Sequence, residues 1–287
     1  MKIAMETTLF GRFSIEEALA AIGKSGVRDI EIGLTHFDAC RAREGDLERL
    51  SSVLSKNGLR LAALFALPGF DPAKWAKFSL GMASPIEAER RKGVQLMRSA
   101  IRNAVRLNCR FMLSELSGDL NRRRASGGAF RKSISEIIPD LEENDVTVAF
   151  EAHPGDFIED SYEAVKLLSS FAVPHVKYNY CIAHTFVLGH TPKEILDNAK
   201  DMVAYAHFAD TIDPWRIFFC PTYKPKVTPH LHLKPGLGDV RFDEVISSLR
   251  GIDFHGFLSI HPFSHMDRPV EAMNETKHSL EGMIKGG

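Results

Sequence analysis

The chain has few features that would place it outside a reducing cell interior. Its 287 residues hold four cysteines, Cys40, Cys109, Cys181 and Cys220, far apart and without a C-x-x-C pair, which argues against a disulfide framework. The opening MKIAMETTLF lacks the basic-then-apolar layout of a secretory signal, and no apolar run approaches the roughly 20 residues that cross a bilayer. A cytoplasmic protein without membrane contact is expected. Neither sign of charge dominates: 36 Lys+Arg against 37 Asp+Glu leave a net charge of -1, with no basic block beyond Arg122-Arg123-Arg124. That excludes a general affinity for nucleic-acid phosphates. No G-x-G-x-x-G follows the first strand, so the phosphate cradle of a dinucleotide-binding sheet is missing. No linker composition interrupts residues 1–287, which are read as one domain.

What is present is an alternation. Short β-branched or aromatic runs alternate with amphipathic segments along the chain, the pattern of βα units and a parallel sheet. The predicted strands are KIAMET, RDIEIGL, LRLAALFAL, CRFMLSEL, VTVAFEAH, HVKYNYC, MVAYAHFAD and GFLSIHPF. The predicted helices are SIEEALAAIGKSG, opened by a Ser14/Glu17 capping box, DLERLSSVLSKNG, SPIEAERRKGVQLMRSAIRNAVRLN, SISEIIPDLEEND after a polar loop, SYEAVKLLSSF, TPKEILDNAK and DVRFDEVISSLRGI. Eight such units in 287 residues match an α/β fold of the (β/α)8 TIM-barrel type, whose chemistry sits on the loops beyond the strands' C-terminal ends. An open doubly wound sheet is the alternative, and the missing glycine motif counts against it.

Carboxylate and imidazole side chains gather at those strand ends, the ligand types a divalent metal takes. Glu151 closes the apolar strand VAFE, where a buried acid must be protonated, paired or metal-bound. Metal ligation is the simplest resolution; a salt bridge to a barrel lysine or arginine is the alternative. His207, in AYAHFADT, repeats the logic two strands later, as a ligand or as a hydrogen-bonded core residue, and Asp210 beyond it anchors the loop, orients the imidazole or touches substrate. His230 and His232 form an H-x-H that puts both rings on one face if extended, or belongs to a surface loop, and the preceding WRIFFCPTYKPKVTP reads as an irregular lid. His184 follows the sixth strand, with Cys181 three residues before it as a small core residue or a thiolate ligand. His261 ends the eighth strand as a ligand or a general base. Glu115, His153, Asp156 and Glu159 are placed near substrate or as loop supports, and Lys177 is a candidate to stabilise an enolate.

The motifs VAFEAHP, NYCIAHTF, YAHFADT, HLHLKPGLGDVRFDEV and GFLSIHPF, in this order, resemble the xylose isomerase-like TIM-barrel superfamily over most of the chain. That superfamily includes sugar isomerases and epimerases, inosose dehydratases and apurinic endonucleases. The resemblance implies a metal held by an acid on strand five and a histidine on strand seven, here Glu151 and His207. The aspartate and acid of the epimerase branch on strands six and eight are replaced by Cys181 and His261. A histidine after strand six and a D-x-H motif serve the endonuclease branch, and their counterparts are His184 and His230-x-His232. The implied shell is therefore Glu151, His184, His207 and His232 around a divalent metal (Mn, Zn, Mg or Co), with Glu151, His261, His230 and Lys177 for acid–base work. DNA repair is disfavoured because LRLAALFALPGF supplies no histidine.

These expectations amount to a metal-dependent sugar isomerase or epimerase that abstracts a proton next to a metal-polarised carbonyl of a keto-sugar or polyol. The alternative is a lyase that expels an aglycone from an oxidised sugar. The segment Cys-x-x-His-Thr-Phe resembles C-glycoside deglycosidase catalytic subunits, which act with a smaller partner subunit; otherwise a homo-oligomer is expected. A non-catalytic sugar- or metal-binding module is the remaining reading.

Overall fold

Eight parallel strands close in the order β1-β10-β9-β8-β7-β6-β3-β2. They are β1 (Lys2–Glu6), β2 (Asp29–Ile32), β3 (Arg60–Phe65), β6 (Phe111–Glu115), β7 (Thr147–Glu151), β8 (Val176–Cys181), β9 (Val203–Phe208) and β10 (Phe257–Ile260). Two further strands, β4 (Phe70–Asp71) and β5 (Ala76–Lys77), pair antiparallel beyond β3 and were not anticipated from the sequence. The computed structural model describes residues 1–71, 76–77, 79–214 and 230–286. Cys220 and the segment read as a lid, 215–229, lie outside the described residues. The (β/α)8 barrel expected from the periodicity is the fold observed.

The helices packed around the sheet are α1 (Ile15–Lys24), α2 (Glu44–Lys56), α3 (Glu87–Arg106), α4 (Arg123–Asn144), α5 (Ser161–Ser169), α6 (Ile182–Val187), α7 (Pro192–Ala199), α8 (Phe242–Gly251) and α9 (Pro269–Lys285). Local chemistry fixes several of their starts. Ser14 and Glu17 form the expected capping box on α1, Asp160 caps α5, and Thr191 caps α7 with Pro192 in the first turn. Among the described residues no helix is long and apolar enough to cross a membrane. Apolar side chains fill two layers: one between sheet and helices, and one inside the barrel, where Phe111 stacks on Tyr205 at 5.5 Å and Phe257 leans on the same ring. This inner layer plugs the barrel beneath the polar mouth.

Parallel register lines up the polar strand ends. Glu6 is level with Glu31 across β1 and β2, Glu115 with Glu151 across β6 and β7, and Cys181 with His207 across β8 and β9. Strands that read as buried runs with one acid or histidine near the end thus deliver those groups to one rim.

Candidate active site

A cavity of about 600 Å³ opens at that rim, with Glu6, Glu115, Glu151, His153, His184, His230, His232 and His261 in its lining. Leu34, Phe65, Leu67, Phe70, Phe263 and Met266 form its apolar wall. Beneath the polar lining, His207 is held between two carboxylates. Its Nδ1 lies 2.9 Å from Glu151 Oε2 and its Nε2 lies 3.2 Å from Glu31 Oε1. Asn179 donates to Glu151 Oε2 at 2.9 Å. The His261 ring stacks on His207, with centroids 4.2 Å apart and planes 2° from parallel.

The histidines divide electrostatically. Burial pushes the pKa of His184, His232 and His261 well below the ordinary value, and the surrounding imidazoles add to the effect. For His207 burial acts in the same downward direction, but Glu31 and Glu151, with Cys181, outweigh it and hold the ring well above its usual range. Burial raises the Cys181 thiol pKa, partly offset by its hydrogen bond with His207. Burial and then Glu31 raise Glu6 to about 8.

Neutral imidazoles are the form that binds metal, so the donor set can be tested against an ion. His184 Nδ1 donates to the carbonyl of Ala152 at 3.2 Å, which leaves its Nε2 as the lone-pair nitrogen. That Nε2 faces His232 Nε2 at 3.3 Å. Two donors of one tetrahedral zinc, each about 2.0–2.1 Å from the ion, stand about 3.3 Å apart, so the pair fits a shared cation. Ligand atoms of Cys181, His184 and His232 lie within 4.8 Å of one another, and those of Glu151, Cys181 and His207 do so as well. The expected shell of Glu151, His184, His207 and His232 therefore forms two groups that meet at Cys181 rather than one tetrad. His153, His184 and His230 make a further group nearer the mouth, and Glu31, His207 and His261 one deeper down.

Residues 13–285 match the xylose isomerase-like TIM barrel family. The chain belongs to this family. Similar solved structures include D-psicose 3-epimerase in the presence of D-fructose (13% identity, TM-score 0.77, 100% of each chain covered). The IOLI protein with a bound zinc atom is similar at 16% identity and TM-score 0.74, covering 100% of this chain and 99% of that one. The E. coli 3-keto-D-glucoside 4-epimerase follows at 14% identity and TM-score 0.74, with 98% of this chain and 99% of that one covered. At these identities the likeness is one of fold. No protein of curated function matches the sequence.

Of the sequence-predicted residues of this xylose isomerase-like barrel, Lys177 stands elsewhere than expected, and Asp210 and Asp156 take the loop-supporting side of their readings. Lys177 is only the second residue of β8, roughly 13 Å below the Cys181 end at about 3.3 Å per residue. Its Nζ donates to the Asp201 carbonyl at 2.9 Å, on the opposite rim from the cavity, so it stabilises no enolate there. Asp210 is fully buried and accepts backbone N–H groups from Thr211, Gly236, Gly238 and Val240, so it organises the loop instead of meeting substrate. A Cβ on Gly238 would stand 2.4 Å from Asp210 Oδ1, so only glycine admits that approach. Asp156 is likewise buried, bonded to Ser117 and the Gly118 N–H, with His153 Nδ1 3.6 Å away. It joins two loops and supports His153.

The sequence reading missed Glu6, Glu31 and Asn179. Glu6, which closes β1, and Glu31, the penultimate residue of β2, are 1% and 0% exposed, acids buried in short strands as Glu151 is. β8 thus ends in Cys181 and β10 is followed by His261, while β1 and β2 each carry a buried carboxylate.

Proposed function

We propose that the chain is a divalent-metal-dependent sugar isomerase or epimerase that moves a proton on the carbon next to a carbonyl of a keto-sugar or polyol. The observation that carries this reading is the neutral His184/His232 pair, nitrogen facing nitrogen, beside Cys181, Glu151 and His207 at the rim of a sugar-sized cavity. His184 and His232 would hold the metal from one side of Cys181, and Glu151 and His207 from the other. An imidazole-rich set with a thiol suits zinc, cobalt or manganese better than magnesium. When bound, the metal supplies Lewis-acid polarisation of the substrate carbonyl.

The protein's own residues do the remaining work. Glu151 accepts the α-proton, while Glu115, His153 and His230 on the rim hydrogen-bond hydroxyls and His261 relays protons. The fold likeness to sugar epimerases supports the substrate class. A second reading, elimination of an aglycone from an oxidised glycoside, is favoured by the apolar wall of Leu34, Phe65, Phe70 and Phe263, which suits a flat apolar substituent.

The test is elemental analysis of the purified protein, followed by incubation with ketohexoses and 3-keto-glycosides in deuterated water. Deuterium at the carbon next to the carbonyl indicates proton transfer, and released aglycone indicates the lyase. Glu151→Gln should lower either rate by about 100-fold or more; a variant that retains both metal and turnover would overturn the assignment.

A further inference from the structure

Inverting a carbon next to a carbonyl requires a proton to leave one face and another to arrive on the opposite face. Glu151 can serve only one face. Its opposite number is read from the barrel order: β1 and β7 stand four steps apart in either direction around the eight strands, and are diametrically opposed. Glu6 ends β1 as Glu151 ends β7, and both carboxyls line the cavity.

Glu6 is built for a task that its own contacts leave unfilled. Thr8 Oγ1 donates to Oε1 at 2.5 Å, which fixes the group's orientation. Oε2 is buried and receives no hydrogen bond from the described residues; His261 Nδ1 lies 3.5 Å away. The fold also clears space for the group. A Cβ on Gly33, in the loop after β2, would stand 1.9 Å from Oε1, so the absence of a side chain there lets the carboxyl occupy its position. A buried carboxyl with one oxygen anchored and the other without a hydrogen bond from the described residues at a cavity wall is poorly explained as a structural group, because leaving a buried polar atom unmet costs about 1–3 kcal/mol.

We propose that Glu6 is the second acid–base group of this site, exchanging a proton with the face of the substrate carbon opposite Glu151. The inference rests on the proton-transfer reading above. In one direction the Glu151 carboxylate takes the α-proton, the C–H electron pair becomes the C=C bond of an enediolate, and the carbonyl π pair moves to oxygen. The Glu6 carboxyl then gives its proton to the other face of that carbon as the carbonyl re-forms. Turnover leaves Glu151 protonated and Glu6 ionised, so reversal of the reaction, or proton exchange with water through His261, restores the starting state. Burial, which raises Glu6 to about 8, keeps it protonated at neutral pH and supports its starting role as the acid.

The experiment compares wild type, Glu6→Gln and Gly33→Ala on a panel of ketohexoses and 3-keto-glucosides in deuterated water, following exchange and epimer formation separately by NMR. Glu6→Gln should reduce epimer formation by about 100-fold or more while exchange at the α-carbon of the epimer served by Glu151 stays within about tenfold. Gly33→Ala keeps the carboxyl but displaces it, and should show the same split more mildly. Should Glu6→Gln fail to fold, Glu6→Asp retains the acid at shorter reach and should lose epimer formation ahead of exchange. Epimerisation by Glu6→Gln at near wild-type rate would overturn the role of Glu6 and leave the proton-transfer reading standing. A wild-type enzyme that neither exchanges nor epimerises any panel member would overturn both.

Discussion

His207 carries much of the site's chemistry because its protonation is set by partners and not by solvent. A fully buried imidazole would normally be neutral, yet Glu31 and Glu151 flank its two nitrogens at 3.2 and 2.9 Å. To hold a cation His207 would give up its Nδ1 proton, and Glu31, facing Nε2, would then fix the ring's tautomer and orientation. Glu31→Gln removes the charge while keeping an acceptor of the same shape. It should weaken metal affinity by about 10-fold or more, read by competition with a chromophoric chelator. An unchanged affinity would mean that His207 is a structural ion-pair partner and not a ligand. Glu31 was legible by the criterion that found Glu151, an acid inside an apolar strand. Unlike VAFEAHP, however, RDIEIGL carries no histidine beside its acid.

At the scale of elements, the strands were readable because each is an apolar run bounded by polar or glycine-rich turns, and His207 and His261 stand at strand ends, while His184 lies in α6 and His230 and His232 in the segment leading to α8. Among the described helices, α4, α6 and α9 are not fully readable in the sequence. The start of α4 at Arg123 is hidden in the sequence because Arg122-Arg123-Arg124 and Gly127-Gly128 mask the periodicity, although Ser126 and Phe130 are buried on its inner face. The final helix α9 went unassigned, yet it buries Ala272, Met273 and Leu280 against the sheet. Tertiary contacts, not local propensity, decide these, as they do α6, whose Ile182, Ala183 and His184 are buried. The loop after β9 shows the same dependence, since Asp210 organises residues 26 to 30 positions further on. Asp210→Asn would aim an amide at the Gly236 and Gly238 N–H groups. It should lower unfolding free energy by about 2–4 kcal/mol in urea titrations, and should weaken metal binding because the loop held by these side-chain bonds runs on directly from His232. Wild-type stability would show that these bonds are dispensable.

The whole molecule carries the cost of its polar mouth, which appears as a pH dependence of stability. Glu6 has an ordinary pKa of 4.5 and a folded value of about 8. Between these values the folded chain binds more protons at this position than the unfolded chain does, so stability falls as pH rises through the window and levels off above it. The slope from one such group is at most about 1.4 kcal/mol per pH unit. Glu6→Gln is a neutral near-isostere that carries no such penalty. Measured in chelator, the variant should match wild type near pH 5 and unfold at higher urea concentration by pH 8, with the gap opening steadily between. Parallel curves for the two proteins would mean that Glu6 is ionised in the folded state and its burial is relieved by some other contact. The expected pattern, a variant more stable and less able to epimerise, is how a group kept for chemistry at the expense of stability behaves. Such a group belongs to the barrel's mouth, where the eight-stranded scaffold supplies enough buried apolar surface elsewhere to tolerate it.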